Sequence, residues 1–66
     1  MREIKFAQNL KQLRIAKNIT QAKLAAILGV DQRTISAWEK GICEPSLSTI
    51  AKLCEILDES LEGLIF

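Results

Sequence analysis

Between Thr20 and Gly41 there is room for only two helices of about two turns each, and only Gly29-Val30-Asp31 to join them. A connection that short cannot return the second helix antiparallel to the first, so the two must cross steeply. A close crossing needs a small side chain at the contact, and Ala25 supplies it. The turn needs a residue free to take positive φ, and Gly29 supplies it four positions later. Thr20 precedes the first helix and Asp31 the second, and both side chains accept hydrogen bonds from the orphan amides of a first helical turn. Each feature is common alone, but together at this spacing they leave residues 20–41 few other shapes.

The flanking residues repeat the helical period. Phe6, Leu10 and Leu13 form one face of a helix predicted from about residue 3 to 17. Asn18, tolerant of the left-handed conformation, ends it, and Ile19 resumes the core. The second helix runs from Gln21 to Leu28 with Leu24, Ala25 and Leu28 inward; the third runs from Gln32 to about Lys40 with Ile35 and Trp38 inward and Gly41 as its stop. Ile42-Cys43-Glu44-Pro45 reads as a loop, because proline disfavours helix in the residue before it. Ser46 caps a fourth helix carrying Leu47, Ile50, Leu53, Cys54 and Leu57, and Asp58-Glu59 breaks its pattern. Ser60 caps a last short helix with Leu61, Leu64 and Ile65. No stretch alternates as a strand does. The expected fold is all-α, one domain over residues 1–66 built as a bundle of five short helices, with Ile15, Ile27 and Ile42 outside its core.

Sixty-six residues, nearly half of them apolar, support one small core near the lower limit for folding without a staple. Cys43 and Cys54 read as a loop residue and a small core residue, and with no histidine in the chain no zinc site or other metal site is expected. No apolar run approaches the roughly 20 residues of a membrane span, and residues 1–10 lack a secretory core, so a cytoplasmic protein without a membrane partner is expected. No nucleophile–base pair, phosphate-binding glycine loop or carboxylate cluster is visible, so neither an enzyme nor a cofactor is expected. The net charge of +1 hides a split: residues 1–41 carry eight basic against three acidic residues, net +5, and residues 42–66 carry one against five, net −4. A basic first part points to a polyanion as partner.

The residues Leu10-Lys-Gln-Leu13-Arg14, Ile19-Thr-Gln21, Leu24-Ala25, Gly29-Val30, Thr34-Ile35-Ser36-Ala-Trp38-Glu39-Lys-Gly41 and Pro45-Ser46, with the leucines up to Leu57, carry a resemblance. Over about residues 5–65 the chain resembles the lambda-repressor-like helix-turn-helix domains of the Cro/repressor (XRE) type. The resemblance implies a sequence-specific transcriptional regulator, expected to be a repressor, of bacterial or phage origin and nucleoid-associated. Its helix-turn-helix core lies at about 20–41, and its third helix, about 32–40, enters the DNA major groove.

Base reading then falls to the early polar edge of the third helix: Gln32, Arg33, Ser36 and Ala37. Glutamine pairs bidentately with adenine, arginine with guanine, serine with either, and an alanine methyl meets thymine. Phosphate contacts are expected from Gln21 at a helix N-terminus and from Thr34, Lys40 and Lys11, with Lys17 and Lys23 as solvated alternatives. The resemblance also implies that Arg14 and Glu39 form a structural ion pair. Two departures stand out: the loop after the third helix carries Glu44 and no lysine, and Glu59 stands where relatives place an aliphatic residue, which predicts looser final packing.

One such domain covers about half an operator, and relatives bind as dimers to paired half-sites roughly 34 Å apart. A palindromic double-stranded operator and a homodimer are therefore expected. The apolar end offers Leu61, Ile65 and Phe66 for that contact, although Leu61, like Leu64, is read first as packing within the monomer. The competing reading is a protein-interaction or antitoxin module on the same fold, since fold alone does not fix function.

Overall fold

The computed structural model describes residues 2–66 and contains, among them, five helices and no strand. They are α1 (Phe6–Ala16), α2 (Gln21–Leu28), α3 (Gln32–Glu39), α4 (Leu47–Leu57) and α5 (Leu61–Ile65). The side-chain oxygens of Thr20, Asp31, Ser46 and Ser60 each accept a first-turn amide, from Lys23, Arg33, Thr49 and Gly63 respectively. These caps fix where four of the helices begin, which is why their starts match the sequence reading.

Four helices end by one device. After α1, α2, α3 and α4 comes a left-handed residue: Asn18 (φ 57°), Gly29 (φ 72°), Gly41 (φ 74°) and Asp58 (φ 51°). The next amide then reaches back five residues: Ile19 to Arg14, Val30 to Ala25, Ile42 to Ala37 and Glu59 to Cys54, each at 3.0–3.1 Å. This pairing satisfies a terminal carbonyl and turns the chain sharply, so short helices can close on one core. Asp58 is the member that sequence reading registers only as a break in pattern.

The core consists of Phe6, Leu10, Leu24, Ala25, Ile35, Trp38, Leu53, Leu57 and Leu64. Leu13, Ile19, Leu28, Ile50, Cys54 and Ile65 pack against it half-buried. Burial, and then the nearby Glu59 charge, push the Cys54 thiol above its ordinary range, which favours the protonated form. Cys43 is exposed. Ile15, Ile27 and Ile42 lie outside the core as expected.

Several boundaries and contacts differ from expectation. α1 begins at Phe6 rather than near residue 3, because the backbone before it is tied to α5: the Lys5 amide donates to the Ile65 carbonyl at 2.7 Å. Beyond it, the Arg2 guanidinium bonds Glu62 at 2.7 Å and lies 4.2 Å from the Phe66 ring centre. Asn9, a polar residue on α1, donates to the Leu64 carbonyl at 3.1 Å and ties the same two helices. Leu47 is not in the core; as the first residue of α4 it is 73% exposed. Leu61, read as internal, is 52% exposed, whereas Ile65 packs on the core. Glu59 does not loosen the end of the chain: its carboxylate accepts the Ser60 amide at 2.8 Å at the start of α5, and Leu64 is fully buried.

Gly29 tests the corner cleanly, because a methyl added there meets nothing within 4 Å and the whole penalty is conformational. Gly29→Ala is expected to cost about 1 kcal/mol and lower Tm by roughly 4–8 °C in a domain of this size. Gly29→Asn should lose less. Thermal unfolding followed by circular dichroism checks this, and an alanine variant as stable as the parent would remove the case for an obligatory left-handed corner.

Candidate nucleic-acid interface

The site is organised from behind. Arg14 on α1 is buried, 9% exposed. Its Nε donates to Glu39 Oε2 at 2.6 Å and its Nη2 to Oε1 at 3.1 Å, while Nη1 donates to the Ile19 carbonyl at 2.8 Å. The Glu39 side chain, on the last turn of α3, is 3% exposed. The Arg14–Glu39 pair expected from the sequence is thus formed, as a two-pronged contact. Gln21, opening α2, donates its amide Nε2–H to Glu39 Oε1 at 3.1 Å. One carboxylate therefore joins α1, α2 and α3.

Burial pushes the Glu39 carboxyl up, but hydrogen bonds from Arg14 and Gln21, the Arg14 charge and the more distant Lys11 charge outweigh it, and the net direction is down. The hydrogen bond to Glu39 holds the Arg14 guanidinium above its already high range against the opposing effect of burial. Both partners are charged at neutral pH.

With its inner side fixed by Ile35, Trp38 and Glu39, α3 turns its other edge outward. Gln32 and Arg33 are exposed and Ser36 and Ala37 half-buried, and the spacing i, i+1, i+4, i+5 puts the four on one strip. The Arg33 side chain is 93% exposed. Thr34 lies off that strip, half-buried, its amide donating to the Asp31 carbonyl at 2.9 Å. Lys40, the exposed C-cap of α3, adjoins the Glu39 junction, Gln21 is bonded into it, and the exposed Lys11 is close enough for its charge to act on Glu39. The candidate residues thus fall in two groups, the strip that starts at the N-terminal end of α3 and a cluster about the Glu39 junction at its C-terminal end.

Sequence reasoning missed that Gln21 shares Glu39 with Arg14; it takes Gln21 as a phosphate contact at the start of α2, and nothing in the spacing shows that a carboxylate 18 residues away has an oxygen to offer. A primary amide nitrogen carries two hydrogens, so one donor of Gln21 stays available for an outside acceptor. Asp31 was expected as an N-cap, but not that its carboxylate reaches beyond the Arg33 amide to the Arg33 guanidinium. Among the described residues no helix is long and apolar enough to cross a membrane.

A family profile described as helix-turn-helix matches residues 10–64. A regulator of Bacillus subtilis named "Uncharacterized HTH-type transcriptional regulator YqaE" is 38% identical over 60 residues, which are 91% of this chain and 52% of that one. The chain spans about half the length of such curated relatives. Among solved structures, the restriction-modification controller protein C.AhdI from Aeromonas hydrophila superposes with a TM-score of 0.81 at 38% identity, covering 91% of both chains. Iron(II)-bound HppE, crystallised with an alternative substrate, superposes at 0.84 with 32% identity, but there the match covers 92% of this chain and only 32% of that one. The chain belongs to the helix-turn-helix family, of the Cro/repressor (XRE) type that its residues resemble.

The buried junction generates an acid limb. Because the folded Glu39 carboxyl titrates below its unfolded range, the pair's contribution is complete above the unfolded glutamate range and is lost as pH falls through the lower folded value. Glu39→Gln should remove that part of the acid limb and, at neutral pH, cost about 3–5 kcal/mol by leaving Arg14 buried without its counter-charge. Arg14→Met combined with Glu39→Leu should recover most of the loss. Urea unfolding across acidic and neutral pH measures both; an unchanged acid limb in Glu39→Gln would contradict the assignment.

Proposed function

We propose that this chain is a sequence-specific, double-stranded-DNA-binding transcriptional regulator that reads the major groove with α3 and has no catalytic role. The observation that carries the reading is the outward polar strip of α3, with Arg33 almost fully exposed while the helix behind it is locked by Arg14, Gln21 and Glu39. A helix that presents donors and acceptors in a fixed register is what base-edge recognition requires.

In this reading Gln32, Arg33, Ser36 and Ala37 meet base edges, with Arg33 on guanine O6 and N7. Gln21 uses its second amide hydrogen on a phosphate, and Lys40, Lys11 and Thr34 complete the backbone grip. The basic residues are concentrated before residue 42, in the part of the chain that carries α3, which suits a polyanionic partner. Two copies on a palindrome give the half-site spacing, with exposed Leu61 and Phe66 as apolar material for a contact; Ile65, packed on the core, has less to offer. Occupying an operator obstructs transcription by itself, so repression is the form of regulation proposed, at bacterial or phage DNA in the cytoplasm.

The same fold forms one segment of the much longer HppE, so fold alone does not fix function, and the second reading is a protein-interaction or antitoxin module built on it. Selection from a randomised duplex library at two salt concentrations separates the readings. The DNA reading expects a palindrome with half-sites about one helical turn apart and affinity that falls steeply with salt. Arg33→Ala should relax preference at one position per half-site by about 1–3 kcal/mol. Absence of binding at low salt would overturn the DNA reading in favour of the docking module.

A further inference from the structure

On the reading that Arg33 contacts a base, we propose that Asp31 is a specificity-determining residue that positions the Arg33 guanidinium for guanine and keeps it off the phosphates. Asp31 precedes α3, and its Oδ1 accepts the Arg33 backbone N–H at 2.8 Å, the ordinary work of an N-cap. The same oxygen also accepts from Arg33 Nε at 3.3 Å. One carboxylate oxygen thus holds Arg33 at both ends, at its amide and at the inner edge of its guanidinium. The side chains are otherwise open to solvent, Arg33 at 93% and Asp31 at 58%, so the pair has no buried structural duty.

The chemistry of the guanidinium makes the contact directional. Its five N–H donors lie in one plane, and occupying Nε–H leaves the outer edge, the two Nη nitrogens, free and aimed away from Asp31. That outer edge offers the paired parallel donors which match guanine O6 and N7. A long arginine side chain that is already oriented loses less freedom on docking than one that wanders.

The second effect is electrostatic. The Arg33 amide first, and then its guanidinium, hold the Asp31 carboxyl below the usual range, so it is charged at neutral pH. A negative charge at the leading end of a DNA-facing helix repels the phosphate backbone. It therefore weakens every sequence-blind complex, in which Arg33 would neutralise a phosphate, and is offset only when Arg33 finds a base. Specificity is a difference between two affinities, and Asp31 widens it by weakening the wrong one. An ordinary cap makes no such distinction between sequences.

The test uses the full chain and two probes, a randomised duplex library and a fixed duplex of scrambled sequence. Asp31→Ser retains a good cap but is too short to reach the guanidinium, and Asp31→Asn retains the cap and the length without the charge. For Asp31→Ser the expected result is a loss of about 5- to 10-fold in guanine preference at one position per half-site, within the discrimination a bidentate pair supplies. Binding to the scrambled duplex should tighten several-fold in both variants, with Tm close to the parent's. In an Arg33→Ala background, Asp31→Ser should change the preference no further. Unchanged preference in Asp31→Ser, or a uniform loss across all bases together with lower Tm, would overturn the proposal and leave Asp31 a cap only. If Arg33→Ala flattens one position and Asp31→Ser does not, this inference falls while base reading by Arg33 survives. If Arg33→Ala flattens nothing, both fall.

Discussion

Everything the outer face of this domain can do depends on the carboxylate of Glu39. It is almost wholly enclosed, it receives both prongs of Arg14 and the amide of Gln21, and it sits on the last turn of the helix whose first turns face outward. An apolar core is tolerant of small rotations, since hydrophobic contacts have no preferred direction. A two-pronged pair with a third donor is not, because each bond fails when the angle shifts. The pair adds little net stability compared with apolar replacements of the same volume. What it supplies is the rotation of α3 about its axis, and that rotation decides which side chains reach a duplex.

The helix ends serve the same purpose. Four helices close on a left-handed residue followed by an amide that reaches back five positions, and only the link from α3 to α4 runs longer than a tight turn. The helices are short, about three turns at most, and each buries a limited stripe. The stripes meet at Leu10, Leu24, Ile35, Leu53, Leu57 and Leu64. The end of the chain is tied in by polar means as much as apolar ones. Asn9 and Lys5 donate to α5 carbonyls, and Arg2 reaches Glu62 and Phe66.

What could be read in the sequence was whatever is local. Thr20, Asp31, Ser46 and Ser60 cap their own first turns, so the starts of α2 to α5 follow from residue type and position. The periodic placement of Leu10, Leu24, Ile35 and Leu53 gives the inward faces for the same reason. Of the long-range contacts only the Arg14–Glu39 pair was anticipated, and that through the family resemblance rather than from any local pattern. Residues 3–5 suit a helix by composition and lie outside α1, where a carbonyl 60 positions away, that of Ile65, takes the Lys5 amide. Leu47 keeps helical spacing with the core leucines but stands in the first turn of α4, where the bundle no longer covers it. Leu61 likewise fits the period and lies in solvent. For the site, the strip Gln32, Arg33, Ser36, Ala37 was visible because helical spacing alone defines it. Gln21 sharing Glu39 was not, since two donors converging on one carboxylate from different helices leave no mark in either helix's pattern.

The central claim is that a duplex lies against the outer edge of α3. It is tested most directly by amide chemical-shift mapping as a duplex recovered by selection is titrated into the labelled protein. The account predicts shifts gathered at Gln32 to Ala37, at Gln21 and at Lys40, with α4 little changed outside any contact between copies. Shifts centred on α4 and α5, with residues 32–37 unmoved, would contradict it.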